Sequence, residues 1–250
     1  YYLTPDFSKF SITTVLAAMG QLFYSMSLAM GIMITYGSYM KKDVSLEGSV
    51  KQIELFDTGI AFLAGLMIVP AAYVFNGGDM AAMGKGPGLM FVTLPKVFNS
   101  MTGGTIVGVL FFVMVFFAAL TSSISLMETV VSIISDKTKL GRKVVCAIVF
   151  AGSVFLGIPS SLGHGPLNFV KIINLSILDF FDFVSNSVIM PIVALLTCLF
   201  ITFVIKPKVI IEEIELTGTF KLKGLFKVMI QYIAPVCIIL ILVSSLFITL

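Results

Sequence analysis

The sequence predicts an all-α integral membrane protein of six transmembrane helices, the first of them broken, forming one domain over residues 1–250. Three observations carry this. Of the 250 residues 58% are hydrophobic and 12% charged, and the mean hydropathy is +1.09, far above that of water-soluble domains. The apolar residues gather into six stretches separated by Lys-, Gly- or Pro-bearing loops. Finally, twelve of the sixteen Lys and Arg residues lie in or beside loops 40–54, 136–143 and 206–224, and only Lys9, Lys85, Lys96 and Lys171 fall on the opposite side. By the positive-inside rule those three loops are cytoplasmic and both chain ends external. A net charge of +3 spread in this way implies a bilayer rather than nucleic acid as partner.

Residues 1–10 carry Pro5, Asp6 and Lys9 and read as an exposed lead-in. Because the chain opens on Tyr1, without Met or a signal peptide, it is expected to be a piece of something longer. The spans are expected at about 11–39, 55–75, 105–135, 144–158, 178–205 and 225–250, the fourth stopping at Pro159. Between the second and third, PGLMFVTLPKVF (87–98) is too short to cross, so it reads as a re-entrant or surface helix, a candidate extracellular lid. The third exceeds what a perpendicular helix needs and should tilt or project. Cys146, Cys198 and Cys237 sit in apolar segments without metal-ligand spacing and read as packing residues. His164, alone in an external loop, is assigned nothing.

Chemistry should reside where polar groups interrupt the spans. In the first span Ser25, Ser27, Gly31 and Thr35 fall at a depth where lipid tolerates polar groups least. Backbone freed there survives only when buried in protein or lining a polar cavity. Its carbonyls can hold a cation, and the second half-helix offers N–H groups to an anion such as a carboxylate. The bland alternative is close helix packing through small residues. In the third span Ala118, Thr121 and Ser122 offer hard, uncharged oxygens suited to a monovalent cation, unless the hydroxyls merely bond back to their own helix. Asp57 is either a solvated helix-start residue or turned inward toward a cation. Asp179 and Asp182 share a helical face as solvated anchors or gate charges, and Asp136 could pair at an inner entrance. An intramembrane hydrolase built on Asp57 and Asp182 is disfavoured, since these begin spans from opposite sides, and no Ser–His or HExxH pattern is present. The chain is read as no enzyme; a channel or scaffold remains the rival.

GQLFYSMSLAMGIMITYGSY (20–39), FFAALTSSISLME (116–128) and LDFFDF (178–183), in this order and spacing, resemble the sixth, eighth and tenth helices of the neurotransmitter:sodium symporter family. PDFSKF at the start and the LPKVF-containing loop are also similar, so the resemblance covers essentially the whole chain. It implies the second inverted repeat of a LeuT-like fold plus one helix, running from just before the sixth to the eleventh helix, with the N-terminal half of the same transporter as its missing partner. The function implied is sodium-coupled symport of hydrophobic amino acids, aromatic ones included, by alternating access in the plasma membrane, there the bacterial inner membrane. The alternatives are a proton-coupled or other amine or amino-acid carrier on the same fold, or a non-transporting fragment. Implied substrate contacts are Tyr24, Ser25, Ser27, Met30, Ser122 and Leu126. A first Na+ would take Ser25 and Asp57; a second would take Ala118, Thr121 and Ser122. Tyr24 and Asp182 match the outer gate, Tyr39 and Asp136 the inner. Two departures stand out. Asp57 replaces the usual Asn while Ala61 lacks the Ser of chloride-dependent members, implying that Asp57 supplies the negative charge itself. Met30 lies in Ala-Met-Gly, where a bacterial amino-acid symporter has Phe between glycines.

Overall fold

The computed structural model describes residues 3–4, 6–79 and 86–249. Tyr1, Tyr2 and Pro5 of the lead-in, loop residues 80–85 with Lys85, and Leu250 of the sixth span lie outside the described residues. Among the described residues the regular structure is helical apart from one antiparallel bridge, Ile172 to Leu175. Five helical stretches, Leu46–Phe75, Gly104–Lys137, Arg142–Leu162, Ile177–Ile205 and Lys223–Ser245, are long and apolar enough to cross a membrane. The first expected span, 11–39, is divided into two shorter helices, α1 (Ile12–Ser25) and α2 (Ile32–Tyr39).

Ser11 caps α1, its hydroxyl accepting from the Thr14 amide at 3.3 Å. The helix stops where the backbone turns left-handed at alternate residues: φ is +53° at Ser27, +60° at Ala29 and +79° at Gly31. For Ser and Ala such a conformation costs about 1–2 kcal/mol each. The surrounding structure therefore has to hold the break open.

The helix α3 (Leu46–Phe75) begins about two turns before the apolar stretch, its hydrophilic start held by the Lys51–Glu47 pair at 2.6 Å. Hydropathy marks where lipid begins, not where helix begins. Next comes a π turn, Leu89–Thr93, then α4 (Leu94–Ser100), and the long α5 (Gly104–Lys137), whose 34 residues reach about 51 Å against a hydrocarbon core of about 30 Å. The helix α6 (Arg142–Leu162) overruns the expected stop at Pro159 by most of a turn. Pro159 lacks an N–H, but its carbonyl still accepts from the Gly163 amide at 2.9 Å and closes the last turn. The fifth span joins α7 (Ile177–Asp182), a π segment Phe183–Ile189, α8 (Met190–Phe200) with Pro191 at its start, and a π segment Ile201–Ile205. After α9 (Pro207–Ile214) the last span comprises α10 (Lys223–Val228), a π turn Met229–Ile233 and α11 (Ala234–Thr249).

Contacts divide the chain into two compact units. In the unit holding 52–124, α4 docks on the start of α5 through an aromatic cluster: Phe98 to Phe111 at 5.4 Å, Phe91 stacked on Phe112 at 6.1 Å. Glycine permits this approach, because a Cβ on Gly104 would lie 1.6 Å from the Phe98 carbonyl oxygen. In the unit holding 11–51 and 125–250, Ala194, Cys198 and Ile238 form a core joining α8 to α11. Phe23 and Ala29 pack against that core, so the residues flanking the break are held from one side.

Candidate functional site

Sequence reading placed Tyr24, Ser25, Ser27 and Met30 at the break, and the structure puts all four on or beside the unwound turn; Ser25, Ser27 and Met30 are half-buried and Tyr24 exposed. Within the break the Leu28 amide still donates to the Phe23 carbonyl at 2.9 Å, and the Thr35 amide to Gly31 at 2.9 Å. Because Gly31 has no side chain to cap α2, the first-turn N–H groups of this half-helix face outward along its axis, where an anion is favoured. The absent side chain also makes room. A Cβ on Gly31 would lie 2.9 Å from Cγ2 of Thr129 on α5, so that the backbone of the break touches α5 directly.

At the outer end, Tyr24 and Asp182 line one cavity of about 350 Å³ together with Gln21, Asn186 and Met190. Both expected outer-gate residues are thus brought together. The pair Asp179 and Asp182, left open by the sequence, separates in role. Asp179 belongs to a helix cap: its amide donates to Ser176 Oγ at 3.2 Å, and the Ser176 hydroxyl donates to its carboxylate at 2.6 Å. Asp182 faces the cavity and accepts from Asn186 Nδ2 at 2.6 Å.

At the other end of α2, the Tyr39 hydroxyl donates to Glu128 Oε1 at 2.6 Å, and the second carboxylate oxygen of Glu128 accepts from Arg142. The structure therefore draws Tyr39 to Glu128 and Arg142, while Asp136 is exposed eight residues further along α5. Sequence reading missed Glu128 and counted Arg142 only as an orienting charge. The signal was available: Glu128 is a carboxylate inside an apolar span, which calls for a partner, and Arg142 is the chain's one arginine. A further bond joins α2 to α5, from the Tyr36 hydroxyl to Ser125 Oγ at 2.6 Å. Leu126 follows Ser125 on the same turn.

In the other unit, Asp57 lies well inside α3 rather than at a helix start, because that helix begins at Leu46, and it is half-buried. Its reading as a helix-start residue is thereby removed. Ala118, Thr121 and Ser122 share consecutive turns of an unbroken α5, so the turn is not relaxed. The Thr121 hydroxyl donates to the carbonyls of Phe117 and Ala118, both at 3.0 Å. This back-bonding uses the hydroxyl proton on the helix's own carbonyls. Among the described residues no cluster of His, Cys, Asp and Glu has the makings of a transition-metal or calcium site.

Three comparisons bear on this geometry. The chain is 33% identical to a sodium-dependent transporter of Haemophilus influenzae over 99% of its own length and 53% of that protein's. It is 32% identical to the sodium-dependent transporter YhdH of Bacillus subtilis, over 96% and 53%. The crystal structure of MhsT in complex with L-phenylalanine superposes with a TM-score of 0.85 at 39% identity, covering 96% of this chain and 54% of that one. The chain thus spans about half the length of the curated relatives it matches. The family model for sodium:neurotransmitter symporters matches residues 1–249. The broken helix, the helical membrane architecture and these matches agree: the chain belongs to the sodium:neurotransmitter symporter family, whose members are transporters and not enzymes.

Proposed function

We propose that the full-length protein carrying this chain is a sodium-coupled symporter of hydrophobic amino acids, aromatic ones included, working by alternating access in the plasma membrane. The observation that carries the reading is the strained break between α1 and α2, in a chain whose relatives are sodium-dependent transporters. Substrate of this class is supported by the match to a protein crystallised with L-phenylalanine. Residues 1–250 supply one inverted repeat and a further helix as a single transmembrane domain, completed by the N-terminal half of the same transporter.

In this reading the substrate carboxylate meets the N-terminal end of α2 and a first sodium held by Ser25 and Asp57. A second sodium is held by the Ala118 carbonyl and the hydroxyl oxygens of Thr121 and Ser122. Tyr24, Ser27, Met30, Ser122 and Leu126 surround the substrate, with Tyr24 and Asp182 closing the outer side and Tyr39 and Asp136 the inner. The exposed face of Ala118, Thr121 and Ser122 supports this, because it leaves room for donors from the absent half. Sodium favours the outward-facing arrangement, and substrate completes that ion's shell, shifting the population toward inward opening. Met30, unbranched and polarizable, yields to bulky side chains.

The test is uptake by the full-length protein in proteoliposomes, with sodium or potassium outside and a panel of competing amino acids. Saturable, sodium-driven uptake competed by Phe, Leu, Tyr or Trp more strongly than by Gly or Ala is expected. Uptake that persists without sodium would replace this reading by a proton-coupled carrier on the same fold. If Met30→Phe leaves the ranking of large and small competitors untouched, Met30 is not a pocket wall.

A further inference from the structure

The half-helix α2 has eight residues, too few to be stable alone, and it hangs on the left-handed link at Ser27, Ala29 and Gly31. Its only buried residues are Ile32 and Thr35. Beside the packing of these two residues, a small set of polar bonds to α5 orients it. Tyr36 donates to Ser125 Oγ and Tyr39 to Glu128 Oε1, both at 2.6 Å, and both pairs are 89 residues apart in sequence. Two rungs with the same separation, one helical turn apart, mean that α2 and this stretch of α5 run locally in the same direction with these faces opposed.

The rungs differ in kind. The Tyr39 rung ends on a carboxylate that also holds Arg142 of α6, a charge-assisted bond of the stronger class. The Tyr36 rung joins two neutral hydroxyls, each of which can turn to another partner or to water at modest cost. It also lies nearer the candidate substrate site, since Ser125 is one turn from Ser122 and adjacent to Leu126 on α5.

We propose that the Tyr36–Ser125 hydrogen bond is a latch: it holds α2 on α5 in the conformation seen here and is released when α2 swings on its 26–31 link to open the cytoplasmic side. The inference rests on the alternating-access reading above. Tyr36 and Ser125 act as positioning residues in it, setting the balance between two conformations rather than touching the cargo. A neutral hydrogen bond of this kind shifts such a balance about three- to tenfold, which at 1.4 kcal/mol per decade is about 0.7–1.4 kcal/mol.

The experiment uses the full-length protein in proteoliposomes, with Cys146, Cys198 and Cys237 replaced by Ser and Ser38→Cys introduced on α2 as a reporter. A hydrophilic maleimide is supplied from the cytoplasmic face in sodium buffer. Tyr36→Phe and Ser125→Ala are each expected to raise the reporter's labelling rate three- to tenfold, with no further rise when combined, while Ser125→Thr, which keeps a hydroxyl, stays near the parent. Labelling that is unchanged, or that rises additively in the double variant, overturns the latch. So does a fall in melting temperature without a change in labelling, which marks the bond as merely structural. Loss of sodium dependence of uptake in the parent would sink the symport reading instead, and the labelling comparison would still decide whether the bond holds α2.

Discussion

Gly31→Ala in the full-length protein tests whether the break must be glycine-linked where it touches α5. Two costs are separable. With φ at +79° a side chain pays the left-handed penalty, about 1–2 kcal/mol. Its Cβ would also stand 2.9 Å from Thr129 Cγ2, and Thr129 is only 3% exposed, so there is little space to yield. Overpacking of this kind adds about 1–3 kcal/mol. The sum is about 2–5 kcal/mol. Thr129→Ser removes the offending methyl and keeps the hydroxyl that donates to the Ser125 carbonyl at 3.0 Å, at a cost of about 1 kcal/mol for the buried carbon. In the Thr129→Ser background, Gly31→Ala should therefore cost only the conformational part. The coupling in a double-mutant cycle should equal the steric part, about 1–3 kcal/mol. The assay is the apparent melting temperature of all four proteins in detergent, followed with a thiol-reactive dye, beside sodium-dependent substrate binding. A Gly31→Ala protein that melts with the parent, or loses equally in both backgrounds, would refute the reasoning.

Thr121 and Ser122 replaced together by Ala should raise the sodium concentration needed for half-maximal uptake at least tenfold while the protein still folds; unchanged sodium activation would show that the Thr121 hydroxyl only serves the carbonyls of Phe117 and Ala118. Asp57 should make uptake independent of chloride, because an anion would meet a fixed like charge where repulsion is poorly screened; Asp57→Asn with Ala61→Ser should create a chloride demand, and a parent that stops in gluconate buffer would sink the assignment. The Lys223 ammonium, bonded to Glu215 at 2.6 Å, holds that carboxyl below its ordinary range. A lowered carboxylate pKa gives stability that is present above the unfolded value and lost as pH falls through the folded one. Proteolytic nicking of the 215–223 loop should accordingly rise on acidification in the parent, and Lys223→Gln should raise it already at neutral pH; equal nicking of both proteins at neutral pH would count against the pair.

The break was legible because Ser and Gly at membrane depth conflict with an unbroken apolar helix, and that conflict is local in sequence. Five long apolar helices were legible for a similar reason, hydropathy being a property of each stretch alone. What escaped depends on register between distant elements. Glu128 gained its meaning from Tyr39, 89 residues away, and from Arg142 across the α5–α6 turn. The start of α3 at Leu46 was missed because a helix continues past the lipid boundary on local bonds alone. Likewise Pro159 pointed to a stop, yet a proline in the final turn removes one donor and leaves its carbonyl to finish the helix.

The π segment Phe183–Ile189 is a phase shifter. At its end the Met190 amide reaches back five residues to the Ser185 carbonyl, which accommodates one residue more than an α-helix would. Each residue is worth about 100° of rotation. Deleting one residue between Phe183 and Ile189 should therefore heal the span into plain α-helix rather than break it. It would leave Ala194 and Cys198 on their core face while turning Asp182 away from the Tyr24 cavity by about a quarter of a revolution. Seen so, the extra residue keeps two faces of one helix, the Ala194–Cys198 core face and the Asp182 cavity face, on different bearings.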